Sequence, residues 1–592
     1  MLMKKKLATG LTGTLSTIVS AMSFGISVEK PNVLIILVDD AGMGDYSCYN
    51  NPIVKTPNID RLYSESIRMN DFHVSPMCTP TRGELLTGIS AMKNGASVVH
   101  GSRMFLRTDF PTMGDLFGAD GYRTGQFGKW HVGDNYPFRP QDRGFQDVLY
   151  FNCAFIGESD DTWCNDYYDP WLRRNDGVPV QLKGYSNDIL FDEAMSWMKQ
   201  CKDNNKPFLC YLPLNLIHTP LLVPERYIEP YKSQPEQIRK IYGMLANLDE
   251  NMGKLDEFLQ QSGLKENTIL MFLNDNGGLI GVTVWNCGMR GKKMQLYDGG
   301  HRSPLFIRWP AGKLRPAGDL DGLSQVTDIV PTLMDLCDVN NKSKAVFDGE
   351  NLAPVLRDAK KELPDRTIVV QYGGETQFRC ATLWRKWRLV HNDANSPWEL
   401  YDVSKDPAQE NDLSASQPDI AKKLKSYYDE WWKDVLPWAK KRSAIIVGND
   451  AENPLTLLPT GQYDATSMNS DNVRKNTYKI DRWFIHAEQP GNYEITLRRW
   501  PAEANAAIRD SVPAWNSIHG GFNLPEGPAL PIAKAKLTVG NFEGTVPVDE
   551  SDTGVTFKVK LDKGDTMLRA SFQDDSGKDI CLAYYVTVHR VK

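Results

Sequence analysis

One cysteine of this chain stands in surroundings that suit chemistry better than packing. The stretch Ser75-Pro-Met-Cys78-Thr79-Pro80-Thr81-Arg82-Gly-Glu-Leu-Leu-Thr-Gly88 reads as a turn running into a helix. Pro80 suits the first helical turn and Thr79 can cap it. Cys78 would then sit at the helix N-terminus, where unpaired N–H groups and the helix dipole favour an anion. Arg82 follows one turn later, over the same end. A nucleophile, a fixed cation and a helix start together suit a tetrahedral oxyanion. Two other sites add oxygen donors. Asp39 and Asp40 end one apolar run, and Asp275 and Asn276 end another. An oxygen-only donor set favours Ca²⁺ or Mg²⁺ over zinc, which prefers His or Cys. Taken singly, each piece has a plainer reading. Asp39-Asp40 can close a strand in a turn, Asp275-Asn276-Gly277 is a good turn sequence, and His218 can be a turn histidine. Lys129 and His131 flank a tryptophan that can be core, and Lys292 and Lys293 can be solvated charges.

The elements that must carry these residues are legible as periodicity. Asn32 to Val38 (NVLIILV), Pro207 to Leu214 (PFLCYLPL) and Thr268 to Asn274 (TILMFLN) are continuous apolar runs, expected of strands buried on both faces of a parallel sheet. Helical patterns lie between them, as in 189–199 and 238–261. This alternation predicts an α/β fold with the chemistry just past the carboxyl ends of the strands. From about residue 363 the pattern changes to short strands (RTIVVQY, ATLWRKWRLVH, WELYDV) and a Trp-containing helix over 419–435. From about 442 it becomes strands and turns alone, the spacing of a β-sandwich. The expected organisation is a leader over 1–28, a catalytic α/β domain over 29–362, a smaller α+β subdomain over 363–441 and an accessory all-β domain over 442–592.

The cysteine stretch resembles the Cys-x-Pro-x-Arg signature of the type I sulfatases, members of the alkaline-phosphatase superfamily. The resemblance extends from about Pro31 to Trp438. It takes in Asn32 to Asp40, Gly128-Lys129-Trp130-His131, Ile217-His218-Thr219-Pro220, Asn274-Asp275-Asn276-Gly277 and Met289-Arg290-Gly291-Lys292-Lys293 with Gly299-Gly300, all in the family's order. It implies an alkaline-phosphatase-like central sheet flanked by helices. It also implies one calcium ion bound by Asp39, Asp40, Asp275, Asn276 and the residue at position 78, and conversion of Cys78 to formylglycine by a formylglycine-generating enzyme. The hydrated aldehyde would be the nucleophile, activated by the metal and Asp275. Arg82 and Lys129 would hold it and neutralise developing charge, and Lys293 would clamp the sulfate with the metal. His218 and Lys293 would assist departure of the alcohol, and His131 would take the proton from the second hydroxyl. His73, His100, Arg103 and His301 lie near these motifs with weaker claims. His486, His519 and His589 are expected to be structural.

Composition narrows the class further. A net charge of −6 and a pI near 5.9 speak against nucleic acid as a partner. Lys4, Lys5 and Lys6 precede an apolar, hydroxyl-rich stretch to about Phe24, the layout of a cleaved secretory signal. This predicts a periplasmic or secreted protein without stable membrane insertion. Export would permit disulfides, with Cys153–Cys164 and Cys201–Cys210 close enough in sequence to pair. The expected substrate is a sulfated glycan or another sulfate ester. The segments 136–145 and 158–171 are candidates for the leaving-group pocket. Two rival readings are a phosphoester or phosphonate hydrolase of the same superfamily, which would want Thr or Ser and two zinc ions, and a non-catalytic binder of sulfated glycans.

Overall fold

The computed structural model describes residues 30–591, apart from 464, 466–468, 478–481, 518 and 520–522. The expected leader at 1–28 lies outside the described residues. The centre of the molecule is a ten-stranded sheet. Its strands in chain order are β1 (Asn32–Val38), β2 (Ile67–His73), β3 (Arg123–Lys129), β4 (Asp147–Phe151), β5 (Trp171–Arg173), β6 (Pro179–Gln181), β7 (Phe208–Pro213), β8 (Thr268–Asn274), β9 (Leu305–Arg308) and β10 (Gly318–Gln325). The spatial order is β10-β2-β9-β8-β1-β7-β3-β4-β5-β6. The inner run β8-β1-β7-β3-β4 is parallel. The apolar runs read from sequence are therefore three adjacent strands at the middle of the sheet.

Alternation in β1 explains why it had to be apolar throughout. Leu34, Ile36 and Val38 face one core, shared with the helices Ser186–Asp203 and Glu236–Gln261. Val33, Ile35 and Leu37 face the other, with the helices Cys78–Thr87 and Ile329–Leu336. A strand covered on both faces has no position left for a polar side chain until it ends. It ends at Asp39. The register pairs Val38 with Asn274 and Leu37 with Pro213, so β1, β7 and β8 terminate at one level and discharge their following residues on one edge.

Beyond the sheet, an antiparallel sheet of β11 (Thr367–Gln371), β12 (Cys380–Trp384), β13 (Trp387–His391) and β14 (Glu399–Asp402) packs against the helix Pro418–Ala439. Described residues after 444 form three further sheets, of six, four and two strands, and the inward side chains of the larger two share one core in a sandwich. That core also takes in Met104, Phe105 and Phe138 from the first part of the chain, so the sandwich is packed onto the catalytic unit. No described helix is long and apolar enough to cross a membrane.

Two expectations are corrected. The helix begins at Cys78 with Met77 as its cap, so Thr79 lies inside the first turn; its hydroxyl donates to the His131 carbonyl at 3.0 Å instead. No disulfide joins Cys153 to Cys164 or Cys201 to Cys210. Cys153 Sγ lies beside Thr460 Oγ1 at 3.6 Å, while Cys164 Sγ accepts from Arg474 Nη2 at 3.4 Å.

The close fit of β3 on β7 depends on Gly128, whose φ is +131° and whose added Cβ would meet the Pro213 carbonyl oxygen at 1.9 Å. Gly128→Ala should destabilise the fold by at least about 1–3 kcal/mol. It should lower the thermal midpoint measured by circular dichroism and shift Lys129, the next residue; an unchanged midpoint would refute the packing argument.

Candidate active site

Eight of the expected side chains converge where the parallel strands end. Cys78 Sγ lies 3.5 Å from Asp39 Oδ1, 4.0 Å from Asp40 Oδ1 and 3.4 Å from Asn276 Oδ1. Lys293 Nζ reaches the same sulfur at 3.5 Å and Asp40 Oδ1 at 2.5 Å. Lys129 Nζ donates to Asp39 Oδ2 at 2.6 Å. Arg82 donates to Asp275 Oδ2 at 2.8 Å and to the Lys129 carbonyl at 2.9 Å. Ligand atoms of Asp39, Asp40, Cys78 and Asp275 all lie within 4.8 Å of one another. His218 stands at the rim, its Nε2 3.8 Å from Asp40 Oδ2 and its ring stacked on Phe155. His131 is buried close by but bonds outside the cluster. Its Nε2 faces the Val99 carbonyl at 3.3 Å and its Nδ1 has no partner.

Local backbone explains how each group arrives. Asp40 adopts φ +62°, a left-handed turn that Asp tolerates better than most residues. Its N–H donates to Asp275 Oδ1 at 3.2 Å and its Oδ1 accepts from Asn276 Nδ2 at 3.0 Å. Lys293 comes from a loop anchored by its own N–H on the Gly278 carbonyl and by Met294 N–H on the Pro76 carbonyl. That loop presses against Gly277, where a Cβ would meet the Gly299 carbonyl oxygen at 2.0 Å. Of the adjacent lysines, Lys293 is buried in the cluster and Lys292 is exposed. Below the site Tyr46 OH donates to Asn274 Oδ1 at 2.7 Å, and Asn274 Nδ2 bonds the Ala41 carbonyl at 2.6 Å. Sequence reading missed Tyr46 and Phe155, since single aromatics give no positional signal.

Three carboxylates buried together survive because three cations are buried with them. Burial alone would raise Asp39, but Lys129, His218, Arg82 and Lys293 hold it well below the ordinary carboxylate range. Asp275, with burial and Asp39 against it, is pushed up to about 7. Burial would lower Lys293, yet Asp40 keeps it charged. The Cys78 thiol is pushed up by burial and by Asp275, despite its place at a helix N-terminus. A thiol so held is a poor thiolate nucleophile. Burial, with Lys129 and Arg82, drives His131 to its neutral form. Burial likewise lowers His218.

A family model described as Sulfatase matches residues 31–339, more than half of the chain. The chain belongs to the sulfatase family. It is a sulfatase, an enzyme that hydrolyses sulfate esters. A second model, for the C-terminal part of N-sulphoglucosamine sulphohydrolase, matches residues 288–432. Human N-acetylgalactosamine-6-sulfatase is 29% identical over 397 residues, covering 63% of this chain and 74% of that one. The uncharacterized sulfatase YdeN of Escherichia coli strain K12 is 25% identical over 490 residues, covering 68% and 85%. Among solved structures, Ps i-CgsB in complex with k-i-k-neocarrahexaose superposes with a TM-score of 0.63 at 25% identity, covering 69% of this chain and 94% of that one.

Other candidates of the sulfatase have different employment. His73 and His301 face each other through Nδ1 atoms 2.9 Å apart, in a buried network with Asp71, Asp298 and Arg388 that braces the sheet against the β11–β14 subdomain. Arg103 pairs with Glu375 at 2.6 Å. In the segment 136–145, Arg143 is spent on the Leu106 and Phe110 carbonyls and Arg139 on Asp142, so neither is available to a leaving group.

Removing Arg82 tests the charge balance. In EGTA, Arg82→Met should cost about 3–5 kcal/mol where Asp275 is ionised. Below about pH 7 Asp275 can take up a proton and stay neutral. The loss relative to wild type should therefore grow as pH rises through and above 7, read from urea midpoints; a loss independent of pH would refute the pairing.

Proposed function

We propose that the sulfatase works through Cys78 converted to formylglycine, with a calcium ion held by Asp39, Asp40, Asp275 and Asn276. The observation that carries this reading is the position of Cys78 Sγ, at a helix start and within 3.4–4.0 Å of Asp39, Asp40 and Asn276. The donors converging there are carboxylate and amide oxygens, the set that suits a hard cation. Calcium, when bound, would supply positive charge for the sulfate oxygens and for the hydrated aldehyde.

The residues divide the chemistry by where they sit. Once converted, the residue at 78 would supply a hydrated aldehyde as the nucleophile toward sulfur, with the alcohol oxygen as the leaving group, and Asp275 is the carboxylate that would take the proton of the attacking hydroxyl. Arg82 and Lys129 fix the attacking group and offset its charge. Lys293, held cationic by Asp40, is the better supplied of the two expected acids for the leaving alcohol; His218, lowered by burial, must first acquire a proton. His131, neutral and with Nδ1 unpartnered, is suited to take the proton of the second hydroxyl. Loss of that proton would release sulfate and return the aldehyde.

The substrate class we assign is a sulfated glycan met outside the cytoplasm. Support comes from the N-acetylgalactosamine-6-sulfatase relative, from the neocarrahexaose complex of Ps i-CgsB and from the charged-then-apolar stretch at 4–24. We assign 1–28 as a cleaved leader, with periplasmic or secreted localisation, followed by a catalytic domain to 362, a subdomain to 441 and an accessory β domain to 592.

Cys78→Ala should lower turnover of an aryl sulfate more than about 10³-fold, as removal of a catalytic nucleophile does. A hydrazide probe should label wild type on the peptide carrying Cys78 when a formylglycine-generating enzyme is co-expressed. Full activity in Cys78→Ala, or faster turnover of the matched aryl phosphate by wild type, would overturn the reading. EGTA should suppress sulfate release and added Ca²⁺ restore it; turnover unaffected by EGTA would remove calcium from the proposal.

A further inference from the structure

A second buried acidic site lies away from Cys78, between the catalytic sheet and the accessory sandwich. A cavity of about 240 Å³ is lined by Asp134, Asn152, Asp160 and Asp161 on the catalytic side and by residues such as Thr456 and Tyr585 on the other. Five carboxyl groups and three guanidinium groups line it. Arg139 is already paired with Asp142 and Glu452, and Arg498 is bonded to Thr553. That leaves Arg173 alone beside the three aspartates. Ligand atoms of Asp134, Asp160 and Cys153 lie within 4.8 Å of one another.

The hydrogen-bond inventory points the same way. Asn152 is 4% exposed; its Nδ2 donates to the Asp160 carbonyl at 3.0 Å, yet its Oδ1, in the same cavity wall, has no donor. Asp134 Oδ1 and Asp161 Oδ1 are buried without a donor as well, although the other oxygen of each is bonded. Buried acceptors of this kind are costly unless something positive meets them. An amide oxygen that is not itself acidic, left open beside carboxylates, is the donor a hard cation uses.

We propose that this cavity is a second divalent-cation site, of calcium type, built from Asp134, Asn152, Asp160 and Asp161. It would be structural. Asp160 accepts from Thr460 N at 3.0 Å and from the Thr460 hydroxyl, so the ion would tie the sandwich to the 152–161 loop. The same loop carries Phe155, whose ring backs His218.

The test uses the full-length chain, equilibrated with Ca²⁺ and assayed by mass spectrometry for metal per chain. Asp275→Asn removes a ligand of the catalytic centre; Asp134→Asn keeps an acceptor for Cys153 N–H and removes the charge. Asp275→Asn should retain one calcium and a calcium-dependent rise in thermal midpoint, and the double variant should lose both. Asn152→Asp should tighten calcium binding about tenfold, equivalent to about 1.4 kcal/mol. In a metal-free, hydrated cavity it would only lower the midpoint. If Asp134→Asn binds as much calcium as wild type, or Asp275→Asn binds none, the site is refuted. A wild type with a single ion, kept in Asp275→Asn and lost in Asp134→Asn, would uphold this site and overturn calcium at the catalytic centre.

Discussion

The structure turns on charge compensation at the end of the parallel strands. Asp39, Asp40 and Asp275 are buried within a few ångströms of one another, and unpaired they would be intolerable in that surrounding. Lys129, Arg82 and Lys293 each take one or two of them by direct bonds. Each cation comes from a different element, so the cluster closes only when the strand β3, the helix Cys78–Thr87 and the loop 289–300 are all docked. The catalytic geometry and the long-range fold are thus one problem.

Balanced charge also explains why the site suits a sulfate ester. Carboxylates without their cations would repel the anion, and cations without carboxylates would hold it too firmly for release. Lys293 is in contact with both Asp40 and Cys78. The thiol itself is held protonated, which separates this cysteine from those that act as thiolates.

The accessory sandwich is more than an appendage. Its core is continued by Met104, Phe105 and Phe138 of the catalytic unit, and Tyr463 accepts a bond from Ser102 one residue before Arg103. The neighbouring residues pair elsewhere, His100 with Glu158 and Arg103 with Glu375. The sandwich is therefore fixed to the catalytic part of the chain by packing and by a hydrogen bond.

Local patterns carried much of this. The runs at 32–38 and 268–274 determine strands with the boundaries observed, because a strand buried on both faces must be apolar until it emerges. Cys78-x-Pro-x-Arg82 likewise determines a helix start with a cysteine and an arginine over one end. What only the tertiary structure decided is how distant pieces share space. Lys293 enters the cluster and Lys292 does not, because the loop is pinned by Gly278 and Pro76 carbonyls far away in sequence. His73 and His301 lie in a buried network whose carboxylates, Asp71 and Asp298, pair with Arg388 of a later sheet. Thr79 bonds a carbonyl from β3's exit rather than capping its own helix. In each case the deciding partner is set by sheet order and loop packing, and no local pattern encodes a partner that lies tens or hundreds of residues away.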